Sequence, residues 1–280
     1  MALTELKYID EKSYTIILTG ITTLISILVA LIFVGGVSIA VPGSFTIILY
    51  IVPTLIFGPM VASIFLCFTE SYLYNILAQK MNPIKLDIDE SGYINKISPK
   101  ETALIIGGIT LIMSLIIYFA LSLILPLLLN SLVSIFMYSS QLLLAYLVYQ
   151  YVAILYNPIA IGIAIVITTI LVTVFTFISA YIYNFLAGSE RGITVDLSKE
   201  DKYTVINSID IKSFAIVFAT IGLILNLITG VFLIISSGSI LAILVGALIS
   251  FFIYLIEALI IAAFYNFLAP RIGELKVELE

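Results

Sequence analysis

Two carboxyl groups sit where carboxyl groups are poorly solvated. Of the 17 acids in this 280-residue chain, only Glu70 and Glu257 fall inside long apolar runs. An ionisable side chain within a membrane span is a functional suspect, and its natural chemistry is proton or cation handling. Glu257 precedes Asn266 by nine residues, about 13 Å along a helix at ~1.5 Å per residue. It adjoins a face of small residues through Ala258, and no Lys or Arg shares its run. A carboxyl there needs a hydrogen-bond partner, such as Asn226 or a tyrosine. Two readings stay open for it: a structural or snorkelling group, and a proton or cation site. Glu70 stands five residues before Asn75, about 7–8 Å by the same rise, and reads as an interfacial residue. Leu66 and Phe175 replace Glu257 at the equivalent positions, which excludes a threefold carboxylate ring.

Other chemistry is missing from the sequence. There is no His, the commonest general base and metal ligand. The single cysteine, Cys67, excludes an internal disulfide framework and reads as a packed small residue. No phosphate-binding loop is present, since Gly107-Gly108 lies inside an apolar run. Asp87, Asp196 and Glu278 all stand twelve positions after an Asn, but a solvated strand face explains them better than a metal site. The residues therefore predict no catalytic set, no cofactor and no enzyme.

What does recur is a fixed unit. Tyr74-Asn75 with Ala78, Tyr183-Asn184 with Ala187, and Tyr265-Asn266 with Ala269 are each followed, thirteen positions after the Asn, by Ile88, Leu197 or Leu279. Constant spacing around a varied middle predicts a rigid corner of helix end, turn and strand. The strands alternate: Ile84, Leu86 and Ile88 against Lys85 and Asp87, then Ile193, Val195 and Leu197, then Leu275, Val277 and Leu279. Turns at Asp89–Gly92 and Ser198–Lys202 lead to partner strands Tyr93–Ile97 and Tyr203–Ile209, and Glu5–Ile9 is placed to pair with Leu275–Leu279.

The elements that carry these corners are membrane-like. The chain is 62% hydrophobic and 10% charged, with a mean hydropathy of +1.25, far outside soluble usage. Runs such as Tyr14–Ala40 and Ala103–Leu129 exceed the ~20 residues that a spanning helix needs. All twelve Lys and Arg fall in four polar stretches, which also hold fifteen of the acids. Basic residues mark the cytoplasmic side, so both termini and both internal polar breaks are placed there. The mixed charge, net −5, points away from polybasic lipid binding and from nucleic acid. The start, Met1–Lys12, is too polar for a cleavable signal.

Each polar stretch ends in a helix start. Asp10, Ser98 and Asp210 occupy equivalent N-cap positions, and Pro99 and Glu101 complete a capping box in the second. From the following Lys12, Lys100 or Lys212 to the next repeated Asn is 63, 84 or 54 residues. The shortest predicts helix Ile211–Ile235, a turn at Ser236–Ser239 and helix Ile240–Ala269. The extra residues go to outer turns, near Val37–Phe45 in the first unit and within 129–158 in the second. Asn130–Tyr156, rich in tyrosine, reads as an interfacial helix or a re-entrant hairpin. Pro53 and Pro59 predict a kink or a delayed start in the second span.

The returning helices share a small face: Cys67, Ser71, Asn75, Ala78; then Thr176, Ala180, Asn184, Ala187; then Ala258, Ala262, Asn266, Ala269. Small residues permit close helix approach in lipid. That predicts three returning helices packed on one another about a pseudo-threefold axis, Asn side chains inward.

The order of these motifs resembles the prokaryotic transmembrane family catalogued as domain of unknown function 3566. The likeness rests on Ile9-Asp10 with Ser13, Ile209-Asp210 with Ser213, the three Tyr-Asn pairs, and Gly192 and Gly273. Asn82-Pro83 stands where the first copy would carry glycine, and three units are present rather than the family's usual one. The resemblance implies a membrane protein without an assigned activity.

The whole predicts an all-α polytopic membrane protein of three tandem two-helix repeats, 1–92, 93–202 and 203–280. It has six spans, an outer interfacial or re-entrant segment, and a small cytoplasmic β-cap. In the plasma membrane, its partners would be the bilayer and a protein at the cytoplasmic face. The function expected is that of a non-enzymatic scaffold, with a small transporter or channel along the pseudo-threefold axis as the alternative.

Overall fold

A computed structural model describes residues 3–40, 45–237 and 240–280. The chain forms two compact units, Met1–Thr102 with Phe177–Glu280, and Ala103–Thr176. Seven helices and six strands are present among the described residues. The helices are α1 (Glu11–Ala40), α2 (Phe45–Lys80), α3 (Pro99–Tyr138), α4 (Leu142–Leu155), α5 (Pro158–Ala187), α6 (Ile211–Ser237) and α7 (Ile240–Ile272). All but α4 are long and apolar enough to cross a membrane.

The first unit carries the strands β1 (Thr4–Ile9), β2 (Ile84–Ile88), β3 (Ile94–Ile97), β4 (Val195–Glu200), β5 (Tyr203–Ile209) and β6 (Leu275–Leu279). They form one antiparallel sheet in the order β3-β2-β1-β6-β5-β4. The β1–β6 pairing is the one expected from sequence. The two outer strands then meet. Tyr93 bridges Thr194, the Ile94 N–H reaches the Ile193 carbonyl at 2.9 Å, and the Val195 N–H reaches the Gly92 carbonyl at 3.0 Å. The sheet is a closed ring.

The register repeats around this ring. Leu86 faces Ile97, Val195 faces Ile209 and Val277 faces Ile9, each eleven positions after an Asn. At the alternate seams Lys85 faces Glu5, Thr194 faces Tyr93 and Lys276 faces Val205. Alternation puts the aliphatic row of β2, β4 and β6 on the inner face, where Ile84, Val195 and Val277 are buried. A barrel needs about eight strands before its interior is just wide enough for side chains, so a six-stranded ring is plugged by its own aliphatics.

The ring packs on helix ends. Ile17 and Ile21 of α1 join Tyr265, Leu268 and Ala269 of α7, with Ile206, Ile209 and Leu275 from the strands. Val217 of α6 joins Tyr183, Leu186 and Ala187 of α5, with Ile94, Ile97 and Ile193. Where helices cross closely, a glycine faces a bulky partner. A Cβ on Gly222 would stand 2.1 Å from the Tyr254 ring, and one on Gly230 would stand 2.4 Å from Ile243.

Several boundaries differ from the sequence reading. β4 runs to Glu200, so the turn is confined to Asp201 and Lys202, with Asp201 at φ 53°. Helix α7 continues through Pro270 to Ile272. Helix α2 starts at Phe45 and contains both Pro53 and Pro59, so neither proline delays its start. Within the expected turn Val37–Phe45, α1 continues to Ala40 and α2 starts at Phe45; residues 41–44, and 238–239 of the expected turn Ser236–Ser239, lie outside the described residues.

The second unit resolves Asn130–Tyr156 into two helical pieces. Its first part continues α3, 40 residues long, about 60 Å at ~1.5 Å per residue. The chain breaks at Ser139–Gln141, where Ser140 takes φ 59° and the Gln141 N–H bonds the Phe136 carbonyl at 2.8 Å. That five-residue reach is the helix-ending motif satisfying an orphan carbonyl. Helix α4 follows, and Asn157 starts α5 by accepting the Ala160 N–H at 3.1 Å. The break falls on the polar run Ser139-Ser140-Gln141, a signal that the sequence carries. The outward tyrosines 138, 146, 149, 151 and 156 are all more than half exposed. Within this unit Gly107 of α3 lies under Thr173 of α5.

Two expected outcomes follow for the ring seam. Gly92 has φ +79°, and a Cβ there would fall 1.8 Å from the Val195 carbonyl oxygen. Gly92→Ala should cost about 1–3 kcal/mol of stability in a detergent melt and release the Ile94 and Val195 amides, which bond across the seam, to exchange; unchanged protection there would contradict closure. In the adjoining turn, the Asp89 carboxylate accepts Ser91 Oγ at 2.6 Å and the N–H groups of Ser91 and Tyr93 at 2.9 and 3.0 Å. The Ser91 hydroxyl and then the Tyr93 N–H hold this carboxyl below its usual range. A depressed carboxyl stabilises above its unfolded value of about 3.9 and loses that contribution as pH falls through the folded value. Protection of the Ser91 and Tyr93 amides, relative to their intrinsic exchange rates, should therefore fall on acidification below about pH 4, and Asp89→Ala should remove the acid dependence.

Candidate functional site

The repeated motif residues converge on one job, which is to hold helix ends to the ring. Asn75 accepts the Ile9 N–H on Oδ1 at 2.8 Å and donates from Nδ2 to the Ile9 carbonyl at 2.9 Å. Asn184 makes the same pair with Ile97, at 2.8 and 2.8 Å. Asn266 makes it with Ile209, at 2.8 and 2.8 Å. A side-chain amide can do this because it carries an acceptor and a donor side by side, matching one residue's own N–H and C=O. Each clamped Ile is the last strand residue before an N-cap.

The tyrosines act one step away. Tyr74 donates to the Leu6 carbonyl at 2.6 Å, Tyr183 to that of Ile94 at 2.6 Å, and Tyr265 to that of Ile206 at 2.5 Å. Each acceptor lies three residues before the clamped Ile. One turn beyond each Asn, Ala78, Ala187 and Ala269 are buried at 6%, 5% and 1% exposure, which lets the helix end approach the strand.

The helix starts close the circuit. Asp10 and Asp210 cap by accepting the N–H of Ser13 and Ser213, at 2.7 and 2.6 Å. The backbone N–H groups of Asp10, Ser98 and Asp210 bond the carbonyls of Lys276, Lys85 and Thr194, at 3.0, 2.9 and 2.9 Å. Hydroxyls return the bond: Ser13 accepts the Lys276 N–H, Ser98 that of Lys85 and Ser213 that of Thr194. The Ser98 hydroxyl is thus turned to β2 rather than serving the capping box expected with Glu101. The start of α1 is stitched to β6, of α3 to β2 and of α6 to β4.

The expected packing of returning helices on one another does not form between α2 and α7. In the first unit α2 packs on α1 and β1, and α7 on α6, α1 and β5. The amides bond strand backbone groups instead of one another. Ser13, Ser213, Tyr93 and Glu11 also join these networks, the last accepting from Tyr8 and from Asn75 Nδ2. Only the recurrence of Ser three residues after Asp10 and Asp210 signalled any of them.

The two acid candidates separate. Glu70 is half-buried on α2 and accepts from the Tyr14 hydroxyl of α1 at 3.3 Å. Glu257 is exposed on α7. Asn226, its expected partner, lies against Gly246 instead, eleven residues before Glu257 and so about 16 Å away along the helix.

The outer face of the ring is charged. Lys85 pairs with Glu5 at 3.2 Å, Lys202 with Glu278 at 3.3 Å and Lys276 with Glu200 at 2.5 Å. Hydrogen bonding to these carboxylates raises the Lys202 and Lys276 ammonium groups above their usual range. Lys202 also lies over the Tyr203 ring at 4.9 Å. The end of the ring away from the helices opens as a cleft of about 320 Å³, lined by residues such as Thr4, Ile88, Leu197, Lys199, Thr204 and Leu279. Among the described residues no group of three or more His, Cys, Asp or Glu is placed to hold a metal. No protein-family model, curated protein or solved structure matches the chain.

Replacing one clamp tests its role. Asn184→Leu leaves the Ile97 N–H and C=O unpaired and should cost about 2 kcal/mol in a detergent melt. Asn184→Asp keeps the acceptor but turns an oxygen toward the Ile97 carbonyl, so it should recover little. Equal stability of all three forms would contradict the clamp.

Proposed function

We propose that the chain is a multi-pass membrane protein of three tandem two-helix repeats, 1–92, 93–202 and 203–280. Its β-ring is a cytoplasmic cap that presents a protein-docking surface without catalysing a reaction. The observation that carries this reading is the threefold clamp, in which the ring is bonded to helix starts and helix ends alike. A cap fixed so firmly suits presentation better than gating. Six apolar helices fit a lipid environment. The placement of every Lys and Arg beside the ring or its flanking turns supports a cytoplasmic cap, cytoplasmic termini and residence in the plasma membrane. The outer strand face, with its alternating ion pairs, is the surface a partner would meet.

The resemblance to the domain of unknown function 3566 is part of this proposal and rests on the same Asp, Ser, Tyr and Asn positions. The channel alternative loses support, because its inner ring of amides is spent on backbone bonds and the strand ring is filled by aliphatic side chains.

Impermeant thiol labelling in sealed right-side-out vesicles tests the topology. Ser140→Cys should label directly and Ser198→Cys only after permeabilisation, while buried Cys67 stays silent. The reverse order would overturn the orientation. A photo-crosslinker at Lys199 in native membranes should yield a discrete protein adduct; adducts to lipid alone would overturn the docking role.

A further inference from the structure

Glu257 is the one acidic group in the apolar part of α7. Among the described residues it makes no hydrogen bond and no ion pair, and it is exposed rather than turned into the helix pair. Its neighbours on the open surface, Ile253 and Ile256, are 57% and 56% exposed. It stands nine residues from Asn266 and seventeen from the helix start at Ile240, about 13 Å and 26 Å along the axis. On the membrane reading, on which this inference rests, that depth lies well inside a hydrocarbon core of about 30 Å. A glutamate side chain is too short to snorkel that far, and hydrocarbon offers it no hydrogen bond.

All twelve Lys and Arg lie outside the apolar runs. The nearest in sequence, Arg271, is fourteen residues on, about 21 Å, and is already bonded to the Phe267 carbonyl and stacked on its ring. Asn226 faces Gly246. A second copy would bring only another carboxyl to the same depth. A cationic, membrane-embedded group of another protein would supply the charge that this face lacks.

We infer that the Glu257 face of α7 docks a membrane-spanning helix of a different protein that carries a Lys or Arg near the middle of its span. In a low-dielectric setting such a pair attracts far more strongly than at a surface, and each charge relieves the other's lack of solvent. The exposed isoleucines beside it supply the flat apolar contact on which a helix can lie.

A defined probe tests this. The purified full chain, donor-labelled at its N-terminus, is reconstituted with an acceptor-labelled synthetic Leu-rich span bearing one central Lys, or with the same span bearing Leu there. Energy transfer should report at least tenfold tighter association of the Lys span with the native chain than with Glu257→Leu, and no preference for the all-Leu span. Equal association of the two spans, or an unchanged result in Glu257→Leu, would overturn the inference. So would energy transfer between two copies of the chain that Glu257→Leu abolishes, with the Lys span unbound, because the occupant would then be a second copy. Flotation separates the two levels. A chain that fails to float with the vesicles overturns the membrane reading along with the inference, whereas one that floats without discriminating overturns the inference alone.

Discussion

A primary amide bonded to both polar groups of a single backbone residue fixes the relation between helices and strands in this protein. Asn75, Asn184 and Asn266 each clamp an isoleucine that immediately precedes a helix start. The clamp sets how far the returning helix extends and where the next strand lies against it. Once it is in place, the tyrosine one residue earlier reaches the strand three residues back, and the alanine one turn on has no room for a larger side chain. Helix ends normally leave backbone groups unpaired, and here the strand ring supplies partners at both kinds of end.

The linkage runs forward around the ring. The start of α3 is bonded to β2, the start of α6 to β4, and the start of α1 to β6. The last link joins the first helix of the chain to its last strand, so the termini are held by the same bonds as the interior. The weakest link is the β3–β4 seam, a single bridge beside Gly92. There the strand is replaced by a turn, and Tyr93 fills the space under Gly192 instead, bonding the Gly192 N–H and the Ala187 carbonyl at 2.6 and 2.8 Å. The aliphatic interior and the ion pairs outside then follow from strand alternation alone.

Much of this was legible in residue spacing. The thirteen-position interval from each Asn to Ile88, Leu197 or Leu279 marked the corners, and alternation marked the strands, because a ladder with one buried face tolerates no slip. The caps at Asp10 and Asp210 were also legible, since few side chains can accept a first-turn N–H. The partner of the Asn was not. An amide within a small-residue face reads equally well as a helix–helix contact, and only the three-dimensional return of the strand shows that it meets backbone instead. The break was marked by the polar run Ser139-Ser140-Gln141, whereas the outward position of Glu257 depended on which side of α7 the neighbouring helix took.

The central claim is that the clamped isoleucines belong to the most protected part of the structure, although each sits at a junction that would ordinarily fray. Site-resolved amide hydrogen exchange of the native chain in detergent addresses this directly. If the clamps hold, the amides of Ile9, Ile97 and Ile209 exchange as slowly as the ladder amide of Val277, and all three open together. Exchange of these amides at the rate of an exposed turn, with the ladder still protected, would contradict the account.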